Sequence, residues 1–268
     1  MEPFEGPFTL AIDIGGTGVK AMVLDGQGEP TSRRKKIPTP APATPKAVLK
    51  VIEELLTYQP AFDRVSAGFP GVIRNGKTLT AHNLDSSWVG FDFRKALEDL
   101  VHKPVRVAND ADIQGFGAVS GQGVELVLTL GTGLGSALFV DGILVPNLEM
   151  GHHPFRKDKS YEDYLGKAAL EEHGEKKWQK HLERAIGTLR EAFNFERLYL
   201  GGGNSTKLDK DSLPDDVHLV PNIAGILGGI ALWSGVPGTS LHRAPNAVGA
   251  SSELPLKYLR QTATTHNA

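Results

Sequence analysis

Four short groups of residues carry functional groups at spacings that suit phosphate and hydroxyl chemistry. The first, Asp13-Ile14-Gly15-Gly16-Thr17-Gly18-Val19-Lys20, ends an apolar run on a carboxylate and follows it with glycines. Bare glycine backbone lets successive amides converge on a phosphate oxygen. Asp13 is placed to hold a hydrated Mg2+, which keeps waters and prefers carboxylate and phosphate oxygens. Taken alone, the segment reads equally well as an ordinary glycine hairpin. Leu130-Gly131-Thr132-Gly133-Leu134-Gly135-Ser136 repeats the device, with Thr132 adding a hydroxyl. Two such hairpins frame a phosphate from both sides, as phosphoryl transfer requires.

Val107-Ala108-Asn109-Asp110-Ala111-Asp112 places Asn109 and Asp110 where a strand gives way to a helix. Asp110 suits two roles there. It is a plain helix N-cap, or a general base at the carboxyl end of a strand, where ligands of α/β proteins bind. Asp112 reads as first-turn helix charge. In Pro146-Asn147-Leu148-Glu149-Met150-Gly151-His152-His153, Glu149 and His152 stand three apart across a glycine. Hydrogen bonding to vicinal hydroxyls suits this pair better than a metal, because no carboxylate–histidine partner set with tight spacing lies nearby. His153 is incidental.

These groups need elements to hold them. Phe8–Ile14 and Val19–Leu24 read as two strands around the first glycine turn, and Arg33–Ile37 as a third. Because Val19–Leu24 alternates as a strand, a Rossmann strand-to-helix turn is excluded. Pro45 opens a helix through Tyr58, and Val65–Phe69 is a strand. Ala96–Val101 (helix), Val105–Ala108 (strand) and Ala111–Val119 (helix) follow. Leu126–Leu130, Ser136–Val140 and Ile143-Leu144 form a second strand set. Tyr161–Phe193 is mostly helical, with amphipathic spacing through Trp178, Leu182, Ile186 and Leu189. Leu198–Leu200 is a strand ending at Gly201-Gly202-Gly203, and Ile223–Trp233 a small-residue helix. The order strand–strand–strand–helix–strand occurs twice, which points to two related lobes around a cleft.

Gly71-Val72-Ile73-Arg74-Asn75-Gly76-Lys77-Thr78 matches the phosphate-loop pattern letter for letter. That pattern works only when a helix begins at its lysine, and Leu79–Trp88 has no helical period. Asn75-Gly76 between short apolar pairs instead predicts a β-hairpin over the cleft.

The 268 residues carry 29 Lys+Arg against 31 Asp+Glu, a net charge of −2 that argues against coating nucleic acid or acidic membranes. No cysteine is present, so thiolate zinc sites, thiol nucleophiles and disulfides are excluded. The start has no signal-peptide pattern, and the uncharged stretches Leu126–Val140 and Leu219–Leu241 are too short or too broken to span a bilayer. A cytoplasmic α/β enzyme is expected.

In this order the pieces resemble the ROK family of sugar kinases over roughly Leu10 to Trp233, and most of all its polyphosphate glucokinase branch. The resemblance is carried by Ala67-Gly68-Phe69-Pro70-Gly71, His82-Asn83-Leu84-Asp85-Ser86-Ser87-Trp88 and Asn109-Asp110-Ala111-Asp112. Gly131–Ser136, Leu144–His152 and Gly201-Gly202-Gly203-Asn204-Ser205 complete it. It implies an α/β, two-lobed, actin-like ATPase/hexokinase superfold with ribonuclease H-like lobes and a central cleft. The lobes would be 1–107 and 108–240, followed by a tail, 241–268. Asp110 matches the catalytic base, while Gly71, Asn83, Asn109, Glu149, His152 and Glu162 match the sugar pocket. Gly15, Gly16, Thr17, Gly18, Val19, Lys20, Gly131, Thr132, Gly133, Gly202 and Gly203 match the loops that hold the donor phosphates, and Asp13 the Mg2+ site.

The implied reaction phosphorylates glucose on its 6-hydroxyl from polyphosphate, with ATP as a possible donor, in a homodimer. ATP-using members carry a cysteine-rich zinc loop where this chain has Phe155–Ser160, so no zinc is expected. A polyanion would be met by local basic runs, and the candidates are Arg33–Lys36, Arg156-Lys157 with Lys159, and Lys176-Lys177 with Lys180. ROK repressors place a winged DNA-binding domain ahead of the kinase-like part, and a phosphate motif at Asp13 leaves no room for one.

Overall fold

The computed structural model describes residues 6–221 and 224–233. The tail expected at 241–268 and the first residue of the helix expected at 223–233 lie outside the described residues. The first glycine turn joins β1 (Thr9–Gly15) to β2 (Gly18–Leu24), antiparallel, with Asp13 opposite Lys20 and Gly15 opposite Gly18. β3 (Lys35–Ile37) extends β2. Thr44 caps α1 (Pro45–Leu56) by accepting from the Ala47 amide, and Pro45, Val48, Ile52 and Leu55 bury one helical face. The helix makes the crossover that lets β4 (Arg64–Phe69) run parallel to β1.

β5 (Ile73–Arg74) and β6 (Lys77–Thr78) close a hairpin on Asn75 and Gly76, whose φ values are 53° and 83°. The phosphate-loop match is therefore a hairpin, as expected. α2 (Phe93–Val101) and β7 (Val105–Asn109) complete a sheet of order β3-β2-β1-β4-β7.

The second half repeats the first. After α3 (Asp110–Phe116) come β8 (Val124–Leu130), β9 (Leu134–Val140) and β10 (Ile143–Val145). A hairpin of β11 (Pro154–Arg156) and β12 (Lys159–Ser160) leads to α4 (Glu162–Leu165), α5 (Lys167–His173) and α6 (Glu175–Phe193). β13 (Arg197–Gly201) and β14 (Val217–Leu219) finish a sheet of order β10-β9-β8-β13-β14. Each sheet thus has two antiparallel joints followed by two parallel ones, which is the expected two-lobed α/β superfold.

The stretch expected to be mostly helical over 161–193 is three helices. Gly166 lies 3.0 Å, at a Cβ position, from the carbonyl oxygens of both Glu162 and Thr132, and Gly174 takes φ 74°. Trp178, Leu182, Ile186 and Leu189 are buried as their spacing predicts, each worth about 1.5–3 kcal/mol. Trp178 Nε1 donates to the Leu165 carbonyl at 3.0 Å.

The helix expected over 223–233 becomes one α-turn, α7 (Ala224–Leu227), and then a 3-10 segment over Gly228–Trp233. The reason is a close approach, since a Cβ on Gly228 would collide with the Ile113 carbonyl of α3. This segment lies on the first sheet: Ser66 Oγ donates to the Gly229 carbonyl at 2.6 Å, and Trp233 Nε1 donates to Ser66 Oγ at 2.8 Å. The span expected as the second lobe, 108–240, therefore includes a strap that packs on the first. Among the described residues, no helix is long and apolar enough to cross a membrane.

Candidate active site

The two glycine hairpins face each other across a cleft of about 470 Å³. Gly15, Gly16, Thr17 and Lys20 line it from the first lobe, and Gly131, Thr132 and Gly133 from the second. Gly202 and Gly203 form its far edge. Asn204 Nδ2 donates to the Gly131 carbonyl at 2.9 Å and ties that edge to the second hairpin.

Val19, expected on the donor side, is a correction. Strand alternation turns its side chain into the first lobe's core, where it is fully buried. Gly18 likewise lies outside the cleft lining and packs under the Lys36 side chain. Asp13 reaches the cleft, but its Oδ2 pairs with Lys20 Nζ at 2.6 Å, so the expected cation ligand and the expected phosphate ligand are partners here.

Asn109, not Asp110, is the N-cap of α3. Its Oδ1 accepts from the amides of Ala111 at 2.8 Å and Asp112 at 3.2 Å. Its Nδ2 donates to the Gly71 carbonyl at 3.2 Å and to Glu149 Oε1 at 3.1 Å. With the cap filled by its neighbour, Asp110 takes the first helical position, and among the described residues its Oδ1 accepts only the Ala111 amide, at 2.9 Å. Burial pushes the Asp110 carboxyl up to about 8. Negative charge on Asp13, Glu149 and Asp112 pushes the same way, and the Ala111 amide opposes it.

The sugar-side residues converge from separate elements. Ser136 of β9 bonds the Leu148 carbonyl and accepts from the Met150 amide at 3.0 Å, which fixes the turn carrying Glu149 and His152. Glu149 is raised by burial first and by Glu162 next, while His152 opposes. Glu162 accepts from the Leu134 amide at 3.0 Å and fills the space beside Gly133, so it joins the sugar side to the donor hairpin. Asn83, Gly71 and Pro70 close the opposite wall.

Among the cleft residues that were not foreseen as site residues are His82 and Lys167. His82 packs its ring on His152 with centroids 3.8 Å apart, and burial first, then His152, lowers its pKa. Lys167 sits at the start of α5, beyond any basic run. Of the basic runs named above, Lys36 is the member that lines the cleft. No pattern in the sequence marks Lys167, and His82, although it opens the His82–Trp88 segment of the resemblance, meets His152 only when distant segments come together.

Asp112 lies behind the floor, buried, with Oδ2 accepting the Asn147 amide at 3.1 Å and Oδ1, among the described residues, without a hydrogen-bond partner. Burial raises it to about 7, the Asn147 amide opposes, and Glu149 adds to the rise. The unfolded chain releases the same proton near 3.8. Between those values the folded state binds more protons, so this group costs stability progressively as pH rises from about 4 to about 7, with no further change above. Asp112→Asn is neutral throughout and keeps the acceptor for Asn147. It should melt higher than the parent by a margin that opens over that range and reaches up to roughly 4 kcal/mol at pH 8. Thermal melts at pH 4.5, 6 and 8 check this, and an equal margin at all three would refute it.

The ROK family model matches residues 9–184. A polyphosphate glucokinase of Mycobacterium tuberculosis (strain CDC 1551 / Oshkosh) is 35% identical over 235 residues, covering 82% of this chain and 88% of that protein. The crystal structure of an inorganic polyphosphate/ATP-glucomannokinase from Arthrobacter sp. strain KM is similar, with TM-score 0.76 and 34% identity over 84% of this chain and 97% of that one. A ROK family glucokinase from Streptomyces griseus, in complex with glucose and AMPPNP, shares the fold, with TM-score 0.71 and 21% identity over 85% of this chain and all (100%) of that one. With two glycine hairpins, a capped Asn-Asp pair and a Glu-x-x-His turn around one cleft, this chain belongs to the ROK family.

Proposed function

We propose that the protein is a glucokinase that transfers the terminal phosphoryl group of inorganic polyphosphate to the 6-hydroxyl of glucose. One observation carries this. A carboxyl poised near 8, Asp110, stands in one cleft between a set of polar side chains suited to hydroxyls and two glycine hairpins suited to phosphates. Asn83, Asn109, Glu149, His152 and Glu162 bind the sugar hydroxyls beside Gly71. Asp110 takes the proton of the 6-hydroxyl as that oxygen bonds the terminal phosphorus. The bridging P–O bond breaks, and the chain leaves one phosphate shorter.

Backbone amides of Gly15–Thr17, Thr132, Gly133 and Gly202-Gly203 meet the phosphate oxygens, where charge is spread in the transition state, while the Gly131 amide donates to the Gly133 carbonyl at 3.0 Å and sets the turn. Asp13 and Asp110 make a carboxylate corner, with Lys20 paired to one Asp13 oxygen, that would hold a hydrated Mg2+, which when bound would offset charge on the donor oxygens. Lys20 then has the donor as a second partner besides Asp13.

Polyphosphate as donor is supported by the names of the relatives, by the absence of any thiolate in the β11–β12 hairpin, and by Lys36 and Lys167 at the cleft wall. Replacing both lysines by Ala should raise the KM for polyphosphate roughly tenfold or more, as expected for lost charge-assisted contacts, and the KM for ATP less. The function itself is tested by glucose 6-phosphate formation with polyphosphate or ATP as sole donor. Product from ATP alone would make this an ATP-dependent hexose kinase. No product from any hexose with either donor would overturn the kinase assignment.

A further inference from the structure

Gln114 lines the cleft but has no part in the transfer proposed above. It stands one helical turn after Asp110 on α3, so its side chain rises from the same face of the helix as the proposed base. It is 8% exposed, and among the described residues its Nε2 is buried with no hydrogen-bond partner. A donor withdrawn from water and left unmet costs stability, and an apolar side chain of similar length would avoid that cost. Its neighbours Ile113 and Phe116 are such side chains, packed in the core.

The surroundings of the amide point to an anion. A Cβ on Gly201 would collide with Nε2, so the amide lies against bare backbone where β13 runs into the Gly202-Gly203 loop. Gln114 thus stands between Asp110 and the far edge of the cleft, where the donor loop is proposed. A primary amide carries two N–H donors and one acceptor oxygen. Its last torsion is broad and two-fold, so half a turn exchanges nitrogen and oxygen at little steric cost. That turn brings the N–H groups out of their unpartnered seat to face the cleft. A neutral donor also suits the position, because a cation one turn from Asp110 would lower the proton affinity of its carboxylate.

We propose that Gln114 is a donor-binding residue whose amide N–H bonds a phosphoryl oxygen of the phosphates that stay behind when the terminal one is transferred. The assignment rests on the reading of this cleft as a phosphoryl-donor site. The contact is made equally to the bound donor and to the departing chain. Its loss therefore raises the KM for the donor and leaves kcat nearly as it was.

The experiment compares the parent with Gln114→Met and Gln114→Leu, whose apolar side chains occupy the same space without a polar group. Both variants should melt at or above the parent's temperature, because an unmet buried donor has been removed. Inorganic tripolyphosphate with Mg2+, titrated by calorimetry without sugar, should bind both variants roughly tenfold more weakly. The KM for polyphosphate should rise by a similar factor, while kcat and the KM for glucose stay within about twofold. Equal tripolyphosphate affinity in all three proteins would overturn the assignment. So would lower melting temperatures with donor and glucose affinities falling together, which is the pattern of a merely structural side chain. A parent that binds no tripolyphosphate would instead overturn polyphosphate as the donor, and the same comparison with Mg2+-ATP then decides Gln114, equal affinities again overturning it.

Discussion

Asp110→Asn should lower kcat by about 10²–10⁴-fold while glucose binding, read by calorimetry, changes little. The substitution is nearly isosteric. It keeps an acceptor for the Ala111 amide and leaves the Asn109 cap intact, so α3 should fold as before. What disappears is the group able to take the hydroxyl proton.

The pH profile adds a second check. Below about 8 the free protein holds Asp110 protonated, so kcat/KM should climb as pH approaches that value. The corresponding limb of kcat reports the same carboxyl in the complex with both substrates. Asp110→Asn should flatten both limbs. A variant with near-parental turnover, or one keeping the same limb, would refute Asp110 as base.

Gly202→Ala should cost about 2–5 kcal/mol of stability and raise the KM for the donor at least tenfold, with little change for the sugar. Gly202 takes φ 84°, which an L side chain rarely adopts. A Cβ there would also lie 2.7 Å from both the carbon and the nitrogen of Leu130. Leu130 cannot yield, because it is buried and paired with Leu134 at the base of the second hairpin. Strain of about 1–2 kcal/mol thus adds to overpacking of about 1–3 kcal/mol. The loop would have to lift, taking with it the Asn204 contact to Gly131. Gly203→Ala is the control. Among the described residues nothing lies within 4 Å of its Cβ position, and its stability should match the parent's. Equal effects of the two substitutions, by thermal melts and donor kinetics, would refute this geometry.

Much of the scaffold could be read in advance because its signals are local. Glycine turns between alternating runs specify the β1–β2 and β8–β9 hairpins. Asn75-Gly76 specifies a tight hairpin against a competing motif match. The period of Trp178, Leu182, Ile186 and Leu189 specifies one face of α6. Where prediction and structure part, the cause is a contact that spacing does not encode. The helix at Ile223–Trp233 tightens because Gly228 must clear α3, and the 161–193 stretch breaks at Gly166 because two carbonyls crowd it. Val19 leaves the site because strand alternation, applied one residue past the turn, turns it inward.

The candidate site divides in the same way. By itself the sequence determined the residue types around the cleft: two glycine hairpins, an Asn-Asp pair at a strand end, a Glu-x-x-His turn and no thiol. Those depend on backbone preferences acting over a few residues. Only the tertiary structure decided that Asn109 takes the cap and leaves Asp110 at the first helical position, that Lys20 meets Asp13, and that Lys36 and Lys167 reach the cleft. It also decided that His82 joins Glu149 and His152, and that burial beside other carboxylates raises Asp110 and Asp112. Proton affinity and ligand sets depend on distance and on excluded water. Both follow from strand order and lobe packing, which bring together segments far apart in the chain.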